Sequence, residues 1–167
     1  MAVSASLRPQ VRLALPDPAA TADLARRLAR IARTGDVIGL GGGLGSGKTW
    51  FARAFINQIA ALSGADADEV PSPTFTLVQA YVFRHATVTH FDLYRIERPE
   101  EAWELGIEDA FADGISLIEW PERLGPLLPE RCLDILLLPG EAPEARLAEI
   151  TGTGDWPARL KGVLPDG

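Results

Sequence analysis

The sequence is poor in soft metal ligands and in lysine. Cys132 is its only cysteine, so no internal disulfide can form. With only His85 and His90 beside it, a zinc cage is all but excluded, and any metal has to be held by oxygen. Nowhere do about 18 apolar residues follow one another, the length a bilayer span needs. The N-terminal stretch has no apolar run of signal-peptide length, so a cytoplasmic protein that does not enter a membrane is expected. A net charge of −7 repels polyanions, and no Lys/Arg stripe marks a nucleic-acid face, so strong direct RNA or DNA binding is not expected of the chain alone. Arg26, Arg27, Arg30 and Arg33 come closest to a basic patch, but their helical spacing describes a solvated face.

What is present is an ordinary globular balance, 47% hydrophobic and 23% charged over 167 residues, which fits one domain over 1–167. The ends, about 1–9 and 164–167, are short, polar or Pro-bearing and expected to fray. Gln10 to Leu15 alternates apolar and polar positions as a half-buried strand does. Thr21 to Ala32 carries Leu24, Leu28 and Ile31 at helical spacing, with Gly35 as a stop signal and Thr21 as a possible cap. Val37 to Leu40 reads as a buried strand, and Phe51, Phe55, Ile59 and Leu62 mark one helix face. Thr74 to Phe83 is β-branched and aromatic and is expected to return as an antiparallel Thr87 to Phe91, through a tight turn at Arg84-His85 or, since Arg-His is poor hairpin chemistry, a longer connection. Pro99 to Phe111 reads as helix broken near Gly106, Ile115 to Ile118 as a buried strand ending at Glu119, and Pro121 to Leu128 as a short helix or turn. Leu133 to Leu138 and Arg146 to Thr151 supply further strands.

Between the second strand and second helix stands Gly42-Gly43-Leu44-Gly45-Ser46-Gly47-Lys48-Thr49, which satisfies the pattern of Gly, four residues, Gly, Lys, Ser or Thr. Successive N–H groups of such a loop face inward as a nest for phosphate oxygens, and the helix N-terminus behind it adds positive potential. Lys48 is expected to reach the β- and γ-phosphates, and the Thr49 hydroxyl to ligate Mg²⁺. The chain has only two lysines, Lys48 and Lys161, and one stands where the motif demands it. A nucleotide loop of this type also needs a carboxylate at a neighbouring strand end; Asp92 and Glu119 both qualify.

Taken together, this loop, Ser72-Pro73-Thr74-Phe75-Thr76-Leu77-Val78, His90-Phe91-Asp92-Leu93-Tyr94-Arg95 and Ile118-Glu119-Trp120-Pro121 resemble the bacterial TsaE (YjeE) family, over about half the chain. The resemblance implies an α/β fold, a single P-loop NTPase domain with a central mixed β-sheet flanked by helices. It also implies ATP and Mg²⁺ as cofactors, ATP hydrolysis that is slow without a partner, and service to tRNA threonylcarbamoyladenosine formation through the TsaD–TsaB transferase complex. By the same resemblance Thr49 and Glu119 are the metal ligands, and Lys48 and Asp92 act in hydrolysis. Thr74 and Thr76 form the first switch, and Trp120 lies beside a nucleotide cradled by Gly42, Gly43, Leu44, Gly45, Ser46, Gly47, Lys48 and Thr49.

This chain departs from the family's pattern at Gly43, usually acidic, and at Ser46, usually alanine, neither of which alters the backbone donors. A C-terminal arginine that contacts nucleotide in some members aligns with Pro143, three residues before Arg146, and that contact stays unassigned. No arginine is evident as an internal finger. Two other readings stand beside an ATPase: a nucleotide-gated binding module with negligible turnover, and a small-molecule kinase, for which Arg123 and Arg131 would have to form a lid.

Overall fold

The computed structural model describes residues 9–65 and 77–165. Its strands are β1 (Val11–Leu15), β2 (Val37–Gly41), β3 (Val78–Val82), β4 (Thr87–Asp92), β5 (Ile115–Glu119), β6 (Leu133–Pro139) and β7 (Arg146–Gly152). The helices are α1 (Pro18–Ile31), α2 (Lys48–Leu62), α3 (Ile107–Asp113) and α4 (Trp156–Leu160), with 3₁₀ turns over Pro99–Leu105 and Pro121–Leu127. The strands pair into a seven-stranded mixed sheet in the order β1-β7-β6-β2-β5-β4-β3. β6, β2, β5 and β4 run parallel, while β1, β7 and β3 pair antiparallel at the margins. The α/β class with a mixed central sheet expected from the sequence is therefore the one formed.

Strand alternation divides the side chains between two cores. Ile38, Leu40, Val88, Ile115 and Leu117 lie in the cluster with Leu24 and Leu28 of α1 and Phe51, Phe55 and Ile56 of α2. Val37, Phe91 and Ile118 belong to the opposite cluster, with Ile107 of α3 and Ala102 and Leu124 of the 3₁₀ turns. Each buried Phe or Leu of this kind contributes about 1.5 to 3 kcal/mol by leaving water. The first cluster fixes α2 against β5, and so fixes the direction in which the α2 N-terminus points.

Several local expectations need correction. The cap of α1 is Asp17, whose carboxylate accepts the Ala20 N–H at 2.8 Å. Thr21 is instead buried inside the helix. That helix ends at Ile31 because Ala32 turns extended, and Gly35, with φ +94°, only redirects the chain towards β2. Leu164 is not frayed: it is 6% exposed in the core, and its N–H donates to the Leu160 carbonyl. The break at Gly106 is real, with φ +76° separating a 3₁₀ turn from α3.

Composition gave no sign of α4, which is five residues long with Pro157 in its first turn. It is held by Trp156, 1% exposed, and by Arg159. The Arg159 guanidinium donates to both oxygens of Asp36 at 2.9 and 2.7 Å and to the Ile31 carbonyl. This buried pair ties the C-terminal helix to the turn that starts β2.

Candidate functional site

In a sheet whose central strands are parallel, loops leaving their C-terminal ends gather on one edge, and that edge is where ligands bind. Here β2 ends at Gly41, β4 at Asp92 and β5 at Glu119. Glu119 pairs in register with Leu40 on one side and with Asp92 on the other. Two carboxylates are thereby set side by side next to the glycine loop, 3% and 9% exposed.

The loop closes where only glycine fits. Gly42 has φ +133°, and a Cβ there would lie 2.6 Å from both the Leu137 carbonyl oxygen and the Ser46 hydroxyl. Gly47, with φ +102°, is the residue from which α2 starts. Lys48 is 5% exposed, and its ammonium donates to the carbonyls of Gly42 at 2.9 Å and Gly43 at 2.6 Å and to Ser46 Oγ at 3.3 Å. It also lies 4.3 Å from the centre of the Trp120 ring, within cation–π range. Burial pulls its pKa below the ordinary lysine range, opposed by the charges of Glu119, Asp92 and Glu122. Ser46 is thus more than a neutral departure from alanine, since its hydroxyl takes part in holding the lysine.

Thr49, in the first turn of α2, donates its hydroxyl to Glu119, with Oγ1 2.9 and 3.2 Å from the two carboxylate oxygens. This oxygen-only pair suits a hard cation such as Mg²⁺. Among the described residues no three His, Cys, Asp or Glu side chains form a metal cage. Magnesium bound at such a site would take one or two protein oxygens and leave its other positions to phosphate and water.

Asp92 Oδ1 accepts the Tyr94 N–H at 3.1 Å. Burial lifts its pKa above the usual carboxylate range; that N–H opposes the shift, the Glu119 charge adds to it, and His90 and Lys48 oppose it. Trp120 adopts φ +61°, and its ring packs 5.0 Å from that of Tyr94. A cavity of about 430 Å³ unites these groups, lined among others by Lys48, Thr49, Asp92, Glu119 and Trp120. Its lining includes Arg95, an arginine that sequence spacing did not single out, whereas Arg123 and Arg131 are not among its lining residues. Thr74 and Thr76 lie outside the described residues.

Arg146, at the start of β7, reaches the glycine loop. Its Nε donates to the Ser46 carbonyl and one terminal nitrogen to the Gly45 carbonyl, each at 2.9 Å. The other terminal nitrogen holds the carbonyls of Pro143 and Ala145. A guanidinium thus braces the glycine loop from behind, a link across about a hundred residues that no local motif could reveal. Arg146→Ala is expected to lower the unfolding free energy by about 1 kcal/mol in urea denaturation, the ordinary net worth of such bonds where water can partly replace them. An unchanged midpoint would mean the brace carries no load. Arg146 also lines a second cavity, about 640 Å³ and largely apolar, beside Leu15, Pro16, Pro139 and Leu147.

Comparison with known proteins agrees with this geometry. The family model for the threonylcarbamoyl adenosine biosynthesis protein TsaE matches residues 15–147. The chain is 38% identical over 117 residues to the tRNA threonylcarbamoyladenosine biosynthesis protein TsaE of Rickettsia bellii, covering 70% of this chain and 78% of that one. It is 41% identical to the Haemophilus influenzae TsaE over 112 residues, 66% of each, and 33% identical to the Bacillus subtilis TsaE over 129 residues, 77% of each. The crystal structure of Bacillus subtilis YdiB superposes with a TM-score of 0.73 at 26% identity, covering 92% of this chain and 93% of that one. Glycine loop, paired strand-end carboxylates and sequence relatives converge, and the chain belongs to the TsaE family.

Proposed function

We propose that the protein is a Mg²⁺-dependent ATPase of tRNA threonylcarbamoyladenosine biosynthesis, acting on a TsaD–TsaB-type transferase complex. The observation that carries the nucleotide part is the convergence of Lys48, Thr49, Asp92 and Glu119 around one cavity at the C-terminal ends of parallel strands. The amides of residues 42–49 and the α2 N-terminus receive the triphosphate. Lys48 then exchanges loop carbonyls for phosphate oxygens and offsets the charge that develops as the terminal bond breaks. Thr49 and Glu119 would hold the metal, which when bound supplies Lewis-acid neutralisation of the phosphate oxygens. Asp92 orients the attacking water and takes up its proton. Trp120 packs beside the phosphate end, and the base and ribose extend towards the apolar cavity lined by Arg146, whose guanidinium also holds the Gly45 carbonyl.

Intrinsic turnover is slow in this reading, because a positioned arginine finger is worth about 10³ to 10⁵ in rate and Arg95, although it lines the cavity, is solvent-exposed. The transferase complex completes the site. Phosphate release measured with the protein alone and with the purified TsaD–TsaB-type complex is expected to rise in the complex. Equal rates would contradict completion by that partner.

A further inference from the structure

One group at the heart of the site has no task in the mechanism above. His90 lies on β4, where the period of two places it on the same face as Val88 and Asp92. Its side chain is fully buried, and Nε2 stands 2.7 Å from Glu119 Oε2. The same carboxylate accepts the Thr49 hydroxyl. An ionised carboxylate can only accept, so Nε2 carries a proton and donates it to Glu119, which leaves Nδ1 as the ring's second polar atom. That Nδ1 is buried and has no hydrogen-bond partner among the described residues. A buried unpaired polar nitrogen costs free energy that a phenylalanine or leucine in the same space would not incur. Packing therefore does not explain an imidazole here, and its one hydrogen bond does.

We infer that His90 is a positioning residue that fixes the rotamer of the Glu119 carboxylate for a divalent metal shared with Thr49. The inference rests on the nucleotide reading given above. Glu119 has three rotatable side-chain bonds and, apart from Thr49, His90 is its side-chain partner among the described hydrogen bonds. The ring thereby acts one step removed from the metal, as outer partners of metal ligands do, and loss of such a partner costs about 10- to 100-fold in metal affinity.

The test compares nucleotide binding in magnesium and in EDTA by calorimetry for the unaltered chain, His90→Phe, His90→Gln and His90→Asn. Phenylalanine fills the space without a donor, the glutamine amide nitrogen reaches the place of Nε2, and the asparagine amide falls short at the place of Nδ1. His90→Phe is expected to raise the magnesium concentration for half-maximal tightening by about 10- to 100-fold, with affinity in EDTA unchanged. His90→Gln should restore near-native magnesium dependence and His90→Asn should not, a contrast that stands even if the phenylalanine variant fails to fold. Equal magnesium dependence in the glutamine and asparagine variants would overturn the inference. So would a parallel loss with and without metal, which would make His90 structural only. Absence of nucleotide binding by the unaltered chain would overturn the functional reading itself, and this inference with it.

Discussion

Lys48→Ala is expected to weaken Mg²⁺-ATP binding on the order of a hundredfold, since truncating one partner of a desolvated charge pair costs about 2 to 5 kcal/mol. The ammonium is positioned before any ligand arrives, between the carbonyls of Gly42 and Gly43 and the Trp120 ring. Its burial already depresses its pKa, so the charge is held in a setting where an anionic partner gains more than it would in water. Folding should suffer far less than binding. Gly43 is exposed and Gly42 half-exposed, so water replaces the lost donor at those carbonyls at a cost of about 1 kcal/mol or less. Equilibrium titration and thermal melting run together separate the two effects. A variant that melts normally yet binds ATP as tightly as the parent would remove Lys48 from the site.

Asp92→Asn should reduce phosphate release by about 10²- to 10⁴-fold, the range associated with losing a positioned general base. The substitution keeps an oxygen to accept the Tyr94 N–H at the end of β4 and removes only the negative charge. Nucleotide affinity is expected to hold or tighten slightly, because a carboxylate beside the phosphates is a repulsive neighbour. Single-turnover hydrolysis measured at saturating Mg²⁺-ATP isolates the chemical step from binding. Unchanged turnover would leave Asp92 without a catalytic role, and intact cellular tRNA modification with a hydrolysis-dead Asp92→Asn would favour the nucleotide-gated binding module.

What the sequence disclosed and what it hid follow from how far apart the interacting residues lie. The glycine loop, Lys48 and Thr49 are legible because their chemistry depends on consecutive backbone angles and on the helix that begins beside them. Asp92 and Glu119 are legible as strand ends, although only the parallel register of β4 with β5 brings them side by side. Arg146 was hidden, since its hold on Ser46 depends on β7 pairing with β6 and returning near the loop. His90 was quoted within a motif but given no task, because its role is visible only once Glu119 is found diagonally across from it. Helix ends misled for a different reason. Asp17 outcompetes Thr21 as cap because Pro18 sits at the first helical position, where a missing N–H costs nothing, and that sets the start three residues earlier. α4 escaped notice because five residues carry too little periodicity to register.

The most direct test is a calorimetric titration of the unaltered protein with ATP, performed once with millimolar magnesium and once with EDTA. A loop of inward amides backed by Lys48, with Thr49 and Glu119 ready for an oxygen-bound cation, predicts saturable heat in both and tighter binding with the metal. No heat in either titration would contradict a nucleotide site between α2 and the ends of β4 and β5.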